Sequence, residues 1–260
     1  MKLFAFHCGG ELTDMAVLDP FDPSVGQKQR MPYFFYVVQH PEGTVLFDTG
    51  IHPAILGDPA EHMGPAAGTF DWEFTVNKGD DVLSRLESIG IRPEEVLHVA
   101  HSHLHYDHAG GVAFFPEASF YVQRSELAFA FDPPVYQRSF YWPADFDHPV
   151  RWVGLDGDLD LFNDGSVVLF ATPGHTPGHQ SMLVRLPSTS IVLAADALFL
   201  PGKLAERALP AGALAWSPDA MVASWERLEE ETRRNGATLL TSHDTEFERT
   251  VRVAPSAWYE

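Results

Sequence analysis

Five histidines of this 260-residue chain fall within eleven positions: His98, His101, His103, His105 and His108. The tightest part, His103-Leu104-His105-Tyr106-Asp107-His108, packs three imidazoles and a carboxylate into six residues. The apolar run Val96–Ala100 predicts a β-strand that delivers the chain directly into this cluster. In an extended stretch His103 and His105 project to the same side and can reach one cation. A turn into helix then lets Asp107 and His108 serve a neighbouring cation, and Ala109-Gly110-Gly111 removes side-chain bulk where that turn must be tight. The donors are nitrogen and oxygen only, which suits zinc, manganese, iron or cobalt.

Other predicted strands also end in polar residues. Residues 33–39 and 44–47 form a hairpin across Pro41-Glu42-Gly43 and lead to Asp48. A strand over 167–171 feeds Thr172-Pro173-Gly174-His175, and one over 191–195 closes on Asp196. A last strand over 237–241 runs into Ser242-His243-Asp244. Strand ends in mixed α/β folds gather at one edge, where sites are built. Further strands are expected at 119–123 and 182–186. Helices are expected from Asp80, with Gly90 as the stop, over 125–131, and from about Pro218 to Arg234 before Asn235-Gly236. The Pro- and aromatic-rich segment 131–149 reads as a loop or insertion. Val45-Leu46-Phe47-Asp48 and Val192-Leu193-Ala194-Ala195-Asp196 hint at two related halves.

Composition narrows the function. With 45% apolar residues the chain can bury a core, and nothing in it marks a domain boundary, so residues 1–260 read as a single domain. Acidic residues outnumber basic ones 36 to 17, a net charge of −19 that disfavours nucleic acid and anionic membrane as partners. Cys8 is the lone cysteine, read as a small buried residue of the first strand; no intrachain disulfide can form. Neither a signal-peptide core nor a run approaching ~20 apolar residues is present, so a cytoplasmic, soluble protein is expected.

His103-x-His105-x-Asp107-His108 resembles the signature of the metallo-β-lactamase superfamily. His175, Asp196 and His243 fall where that family places its later ligands. The resemblance implies an α/β, four-layer αββα fold, two mixed sheets sandwiched between helices, with a dinuclear centre between the sheets. His103, His105 and His175 would hold one divalent ion, zinc before cobalt, manganese or iron; Asp107, His108 and His243 would hold the other; Asp196 would bridge them. Within the superfamily, Ser102–Gly111, Val122-Gln123-Arg124, Thr172–Ser181 and His243-Asp244 are similar to N-acyl-homoserine lactonases, over about residues 30–250. The implied activity is hydrolysis of the lactone ring by a hydroxide held between two metals, with Asp107 also passing a proton to the departing oxygen. Other lactones, aryl esters and phosphotriesters are the alternative substrates, and a homodimer is implied by the lactonases alone.

One position departs from that pattern. Three residues after the bridging aspartate these lactonases often carry a tyrosine that hydrogen-bonds the substrate; here it is Phe199, so another donor must substitute or the substrate must differ. Residues 199–216 are expected to wall the substrate pocket. Asp48 reads as a carboxylate that orients a ligand histidine, and His179 as a supporting donor or a turn residue. His98 and His101 read as satisfied packing histidines, and His40, His52, His62 and His148 as surface or loop residues. Glyoxalase-II-like thioester hydrolysis is disfavoured because only 17 residues follow His243, too few for that enzyme's helical substrate domain. A metal-binding scaffold without turnover is disfavoured because all seven family donors are present.

Overall fold

Aromatic and β-branched residues crowd positions 33–38, and both sides of that strand are buried. Tyr33, Phe35 and Val37 join one core layer, whereas Phe34, Tyr36 and Val38 meet Val167, Leu169, Met182 and Val184 in a second. A strand with no polar face must be covered twice, which requires two sheets with helices outside them. The computed structural model describes residues 1–260, apart from the side chains of Lys203, Thr245 and Phe247.

The first sheet runs in chain order: β1 (Lys2–Asp14), β2 (Lys28–His40), β3 (Gly43–Phe47), β4 (Val96–Ala100), β5 (Ser119–Gln123) and β6 (Arg151–Leu155). Its first three strands are antiparallel and the remaining pairs parallel. The second comprises β7 (Leu159–Asp160), β8 (Val167–Ala171), β9 (Gln180–Arg185), β10 (Ser190–Ala195) and β11 (Thr238–Thr241), in the order β11-β10-β9-β8-β7. Only β10 and β11 pair in parallel there. Both sheets are mixed, as the αββα expectation requires.

Helices close the outer faces. Pro218–Asn235 is capped by Ser217, whose hydroxyl accepts from Ala220 N at 3.3 Å, and stops at Gly236 in the left-handed region. Its buried stripe, Met221, Trp225 and Leu228, packs in one cluster with Phe170, Leu183 and Val192 of the second sheet. Val82–Glu87, capped by Asp81, buries Val82 and Leu86 against the first. The segment 131–149 holds a 3-10 turn, Arg138–Phe140, and one helical turn, Pro143–Phe146, with Trp142 and Phe146 wholly buried. It is therefore part of the core, although it lacks a regular period.

Two strand exits are strained in the same way. Asp48 after β3 has φ 64° and Ala195 at the end of β10 has φ 45°, a region that side-chain-bearing residues rarely adopt. Each kink stands at or beside the carboxylate its strand delivers, consistent with the two-fold hint in the sequence. Nearby, Gly110 packs so closely that a Cβ would lie 2.2 Å from His52 N and 2.6 Å from Ile51 C. Gly110→Ala is thus expected to cost about 3 kcal/mol or more. Urea denaturation would check this, and a loss below about 1 kcal/mol would refute it.

Candidate metal centre

The chain leaving β4 supplies His103, His105, Asp107 and His108; the exits of β8, β10 and β11 supply His175, Asp196 and His243. All seven are buried and all converge. His175 Nε2 stands 3.2 Å from His103 Nε2 and 3.1 Å from His105 Nδ1. His108 Nε2 and His243 Nε2 each lie 3.4 Å from Asp107 Oδ2. Asp196 sits between the two groups: Oδ1 is 3.3 Å from His108 Nε2, and Oδ2 is 3.6 Å from His175 Nε2 and 3.1 Å from His243 Nε2. Three overlapping sets could each hold an ion: His103, His105 and His175; His103, His108 and Asp196; Asp107, His108 and His243.

These residues fit metal on two grounds. Ligands ~2.0–2.1 Å from a tetrahedral zinc ion stand about 3.3 Å apart, close to the spacings found. His108 Nε2 and Asp196 Oδ1, both turned into the cluster, are buried without a hydrogen-bond partner, a cost that a cation would remove.

The rings are aimed by their far nitrogens. His175 Nδ1 donates to Leu214 O at 2.7 Å, and His243 Nδ1 donates to Pro32 O at 2.8 Å. His108 Nδ1 donates to Asp48 Oδ2, also at 2.8 Å. Ser102 Oγ donates to Asp48 Oδ2 and accepts from His103 Nδ1 at 3.0 Å. Each of these four bonds leaves Nε2 as the lone-pair nitrogen turned inward. Asp48 thus orients ligand candidates without joining them.

Electrostatics divides the imidazoles. Burial, reinforced by neighbouring imidazoles, holds His103 and His105 well below the usual histidine range; burial also lowers His175 and takes His179 down to about 3. For His108 burial is outweighed by Asp107, Asp196 and Asp48, and its pKa rises; His243 rises mainly through Asp196. The lowered group binds fewer protons folded than unfolded below about pH 6.5, so stability falls as pH drops through that window. His108 and His243 lose their contribution only as pH rises above it. Metal-stripped protein is therefore expected to be most stable near pH 6.5–7. Urea midpoints at pH 7 and pH 5 would check this, and a midpoint level or rising toward pH 5 would contradict it.

A cavity opens on this cluster. Five donors line it (His105, Asp107, His175, Asp196 and His243), with five apolar side chains, Val17, Met31, Phe140, Phe199 and Leu214, and with Glu11 and Tyr106. Phe199 and Leu214 belong to the segment 199–216. The Phe199 ring stands edge-on to His175 at 5.3 Å and stacks on His243 at 5.8 Å, with no polar atom to offer.

Sequence reasoning missed two buried carboxylates here. Glu11, on β1, lines the same cavity and accepts from the Tyr106 hydroxyl at 2.9 Å, with Tyr33 OH 3.0 Å further on. Burial pushes its pKa up to about 7. Glu126 accepts from Leu104 N, Gly178 N, Tyr141 OH and Thr176 Oγ1 at 2.6–3.2 Å.

Several histidines differ from expectation. His101 is buried as foreseen and stacks on Phe120, but neither ring nitrogen has a hydrogen-bond partner; Nδ1 stops 3.6 Å short of Asp48 Oδ1. His40, His52 and His62 are not idle surface residues. His40 stacks on Phe162 and meets Asp164 at 3.1 Å, while His52 stacks on His62, which reaches buried Asp145 at 2.7 Å. His98 contacts Tyr121 OH at 3.0 Å, His148 Nε2 donates to Ala144 O, and His179 Nδ1 contacts Thr172 Oγ1.

Two mixed sheets with a histidine- and aspartate-rich centre at their common rim define a metal-binding α/β fold. The chain belongs to the metallo-β-lactamase superfamily, whose family model matches residues 30–243. It is 36% identical over 237 residues to a protein of Azorhizobium caulinodans named N-acyl homoserine lactonase AttM, with 88% of each chain covered. The N-acyl homoserine lactonase AiiA of Bacillus thuringiensis subsp. kurstaki is 28% identical over 238 residues, again with 88% of each chain covered. A solved N-acyl homoserine lactone hydrolase, with the product N-hexanoyl-L-homoserine bound at its catalytic metal center, matches with a TM-score of 0.85 at 26% identity. That match covers 99% of this chain and 98% of the other. No helix among the described residues is long and apolar enough to cross a membrane.

Proposed function

We propose that this chain is a metal-dependent hydrolase that opens the lactone ring of N-acyl-homoserine lactones. The observation that carries the reading is the convergence of seven buried nitrogen and oxygen donors, five of which line a largely apolar cavity, in a chain with lactonases among its relatives. His103, His105 and His175 would hold one ion and Asp107, His108 and His243 the other, with Asp196 shared. Zinc fits this thiolate-free set of imidazoles and carboxylates first. Because the donors for each ion come from both sheets, residues 1–260 act as a single domain in this reading.

Bound divalent metal supplies Lewis acidity and brings the pKa of water toward neutrality. The chain's own residues do the rest. Asp48, Ser102, Leu214 O and Pro32 O fix the ring orientations before substrate arrives. Phe140, Phe199 and Leu214 exclude bulk water from the cavity. Asp107 takes the proton released as water adds to the lactone carbonyl and passes it to the ring oxygen as the acyl–oxygen bond breaks, leaving a hydroxy acid.

Proton release on adding short- and long-chain N-acyl-homoserine lactones tests the proposal, using protein purified with its metal, a chelated sample, and the same sample after zinc is restored. Ring opening that vanishes with the chelator and returns with zinc is the expected result. Silence with two ions per chain retained would overturn the substrate and direct the search to aryl esters and phosphotriesters.

A further inference from the structure

Once the five metal-ligand candidates are set aside, the cavity's described lining is apolar except for Glu11 and Tyr106. Tyr106 has its hydroxyl hydrogen committed to Glu11 Oε2, and its ring is held by stacking on Trp142 at 4.3 Å. Tyr33 OH, 3.0 Å from Tyr106 OH, stands behind it. Hydrogen donation thus runs Tyr33 to Tyr106 to Glu11 and ends on a carboxyl, which keeps an acceptor oxygen in either protonation state. Glu11 is 8% exposed, and no cationic side chain is hydrogen-bonded to it among the described residues. Its register partner on β2 is Met31, itself a cavity wall, so backbone pairing fixes where the carboxyl sits.

An N-acyl-homoserine lactone presents one strong donor beside the reacting ring, its amide N–H. Burying that N–H against Val17, Met31 and Phe140 with no acceptor would forfeit about 1–3 kcal/mol. We infer that Glu11 is a specificity-determining residue that accepts a hydrogen bond from the acylamino N–H of the substrate, selecting α-acylamino lactones over lactones without that donor. The inference rests on the lactonase reading and deepens it. It also gives a chain lacking the phenol at position 199 a different polar anchor for substrate.

The test compares N-hexanoyl-homoserine lactone with α-hexanoyloxy-γ-butyrolactone, in which oxygen replaces the N–H at nearly constant shape. For wild-type protein, kcat/KM is expected to favour the acylamino lactone by about tenfold or more. Glu11→Met, which fills the volume without a buried carboxyl, is expected to bring the ratio within about twofold, and Glu11→Gln, whose one acceptor oxygen must serve both Tyr106 OH and the substrate N–H, to give a ratio between the two. A residue that only supports the fold would lower both substrates together and leave the ratio unchanged. A wild-type ratio near one, or a ratio that survives Glu11→Met, overturns the inference while the lactonase reading stands. A wild type that opens neither lactone overturns that reading and this inference with it.

Discussion

Asp107→Asn is expected to lower kcat by about 10²–10⁴-fold, the range general acid–base groups contribute. Asparagine is nearly isosteric and keeps an oxygen 3.4 Å from His108 and His243, so the metal-ligating geometry is largely retained. It has no carboxylate to take up and release a proton. The two roles given to Asp107 therefore separate in one variant: metal content per chain, measured by elemental analysis, should stay near the wild-type value while turnover collapses. A lactone with a better-leaving phenolic oxygen should recover part of the loss, because that oxygen departs without a proton. Near-normal turnover on the alkyl lactone would sink the shuttle role, and loss of metal in step with turnover would leave Asp107 as a ligand alone.

What the sequence discloses about this fold follows the range of each signal. Strand exits at Asp48, His103, His175, Asp196 and His243 are legible because a strand and the polar residue ending it are neighbours in the chain. The ends of Val96–Ala100, Ser119–Gln123 and Val167–Ala171 fall where local pattern places them. β6 and the two-residue β7 escape notice because their burial is only intermediate, so no clean alternation marks them.

The supporting carboxylates were hidden for a different reason. Glu11 reaches Tyr106 across 95 positions, and Glu126 reaches Thr176 across 50. A lone glutamate in a strand or at a helix start looks like solvated surface until tertiary pairing buries it. The same holds for His62 and Asp145, 83 residues apart. Metal donors betray themselves by spacing, whereas the groups that hold the donors' loops in place carry no local signature.

That difference sets the largest stability effect expected here. Glu126→Ala should destabilise the protein by about 3–5 kcal/mol, the cost of stranding several buried partners at once. The Glu126 carboxyl is wholly buried and joins three segments: Leu104 N between His103 and His105, Thr176 Oγ1 and Gly178 N just past His175, and Tyr141 OH, whose ring packs edge-on to His105 at 4.6 Å. Removing it orphans two backbone N–H groups and two hydroxyls together, so the loss exceeds that of any single bond. Gly178 leaves the space this contact needs; a Cβ there would meet Glu126 N at 2.2 Å. Glu126→Gln should not rescue, since an amide NH₂ among four donors replaces an acceptor with a fifth donor. Because both loops carry ligand candidates for one ion, urea midpoints should drop in metal-loaded and chelated protein alike, with zinc affinity falling as well. A Glu126→Gln variant as stable as wild type would show that the carboxylate does not tie these loops together.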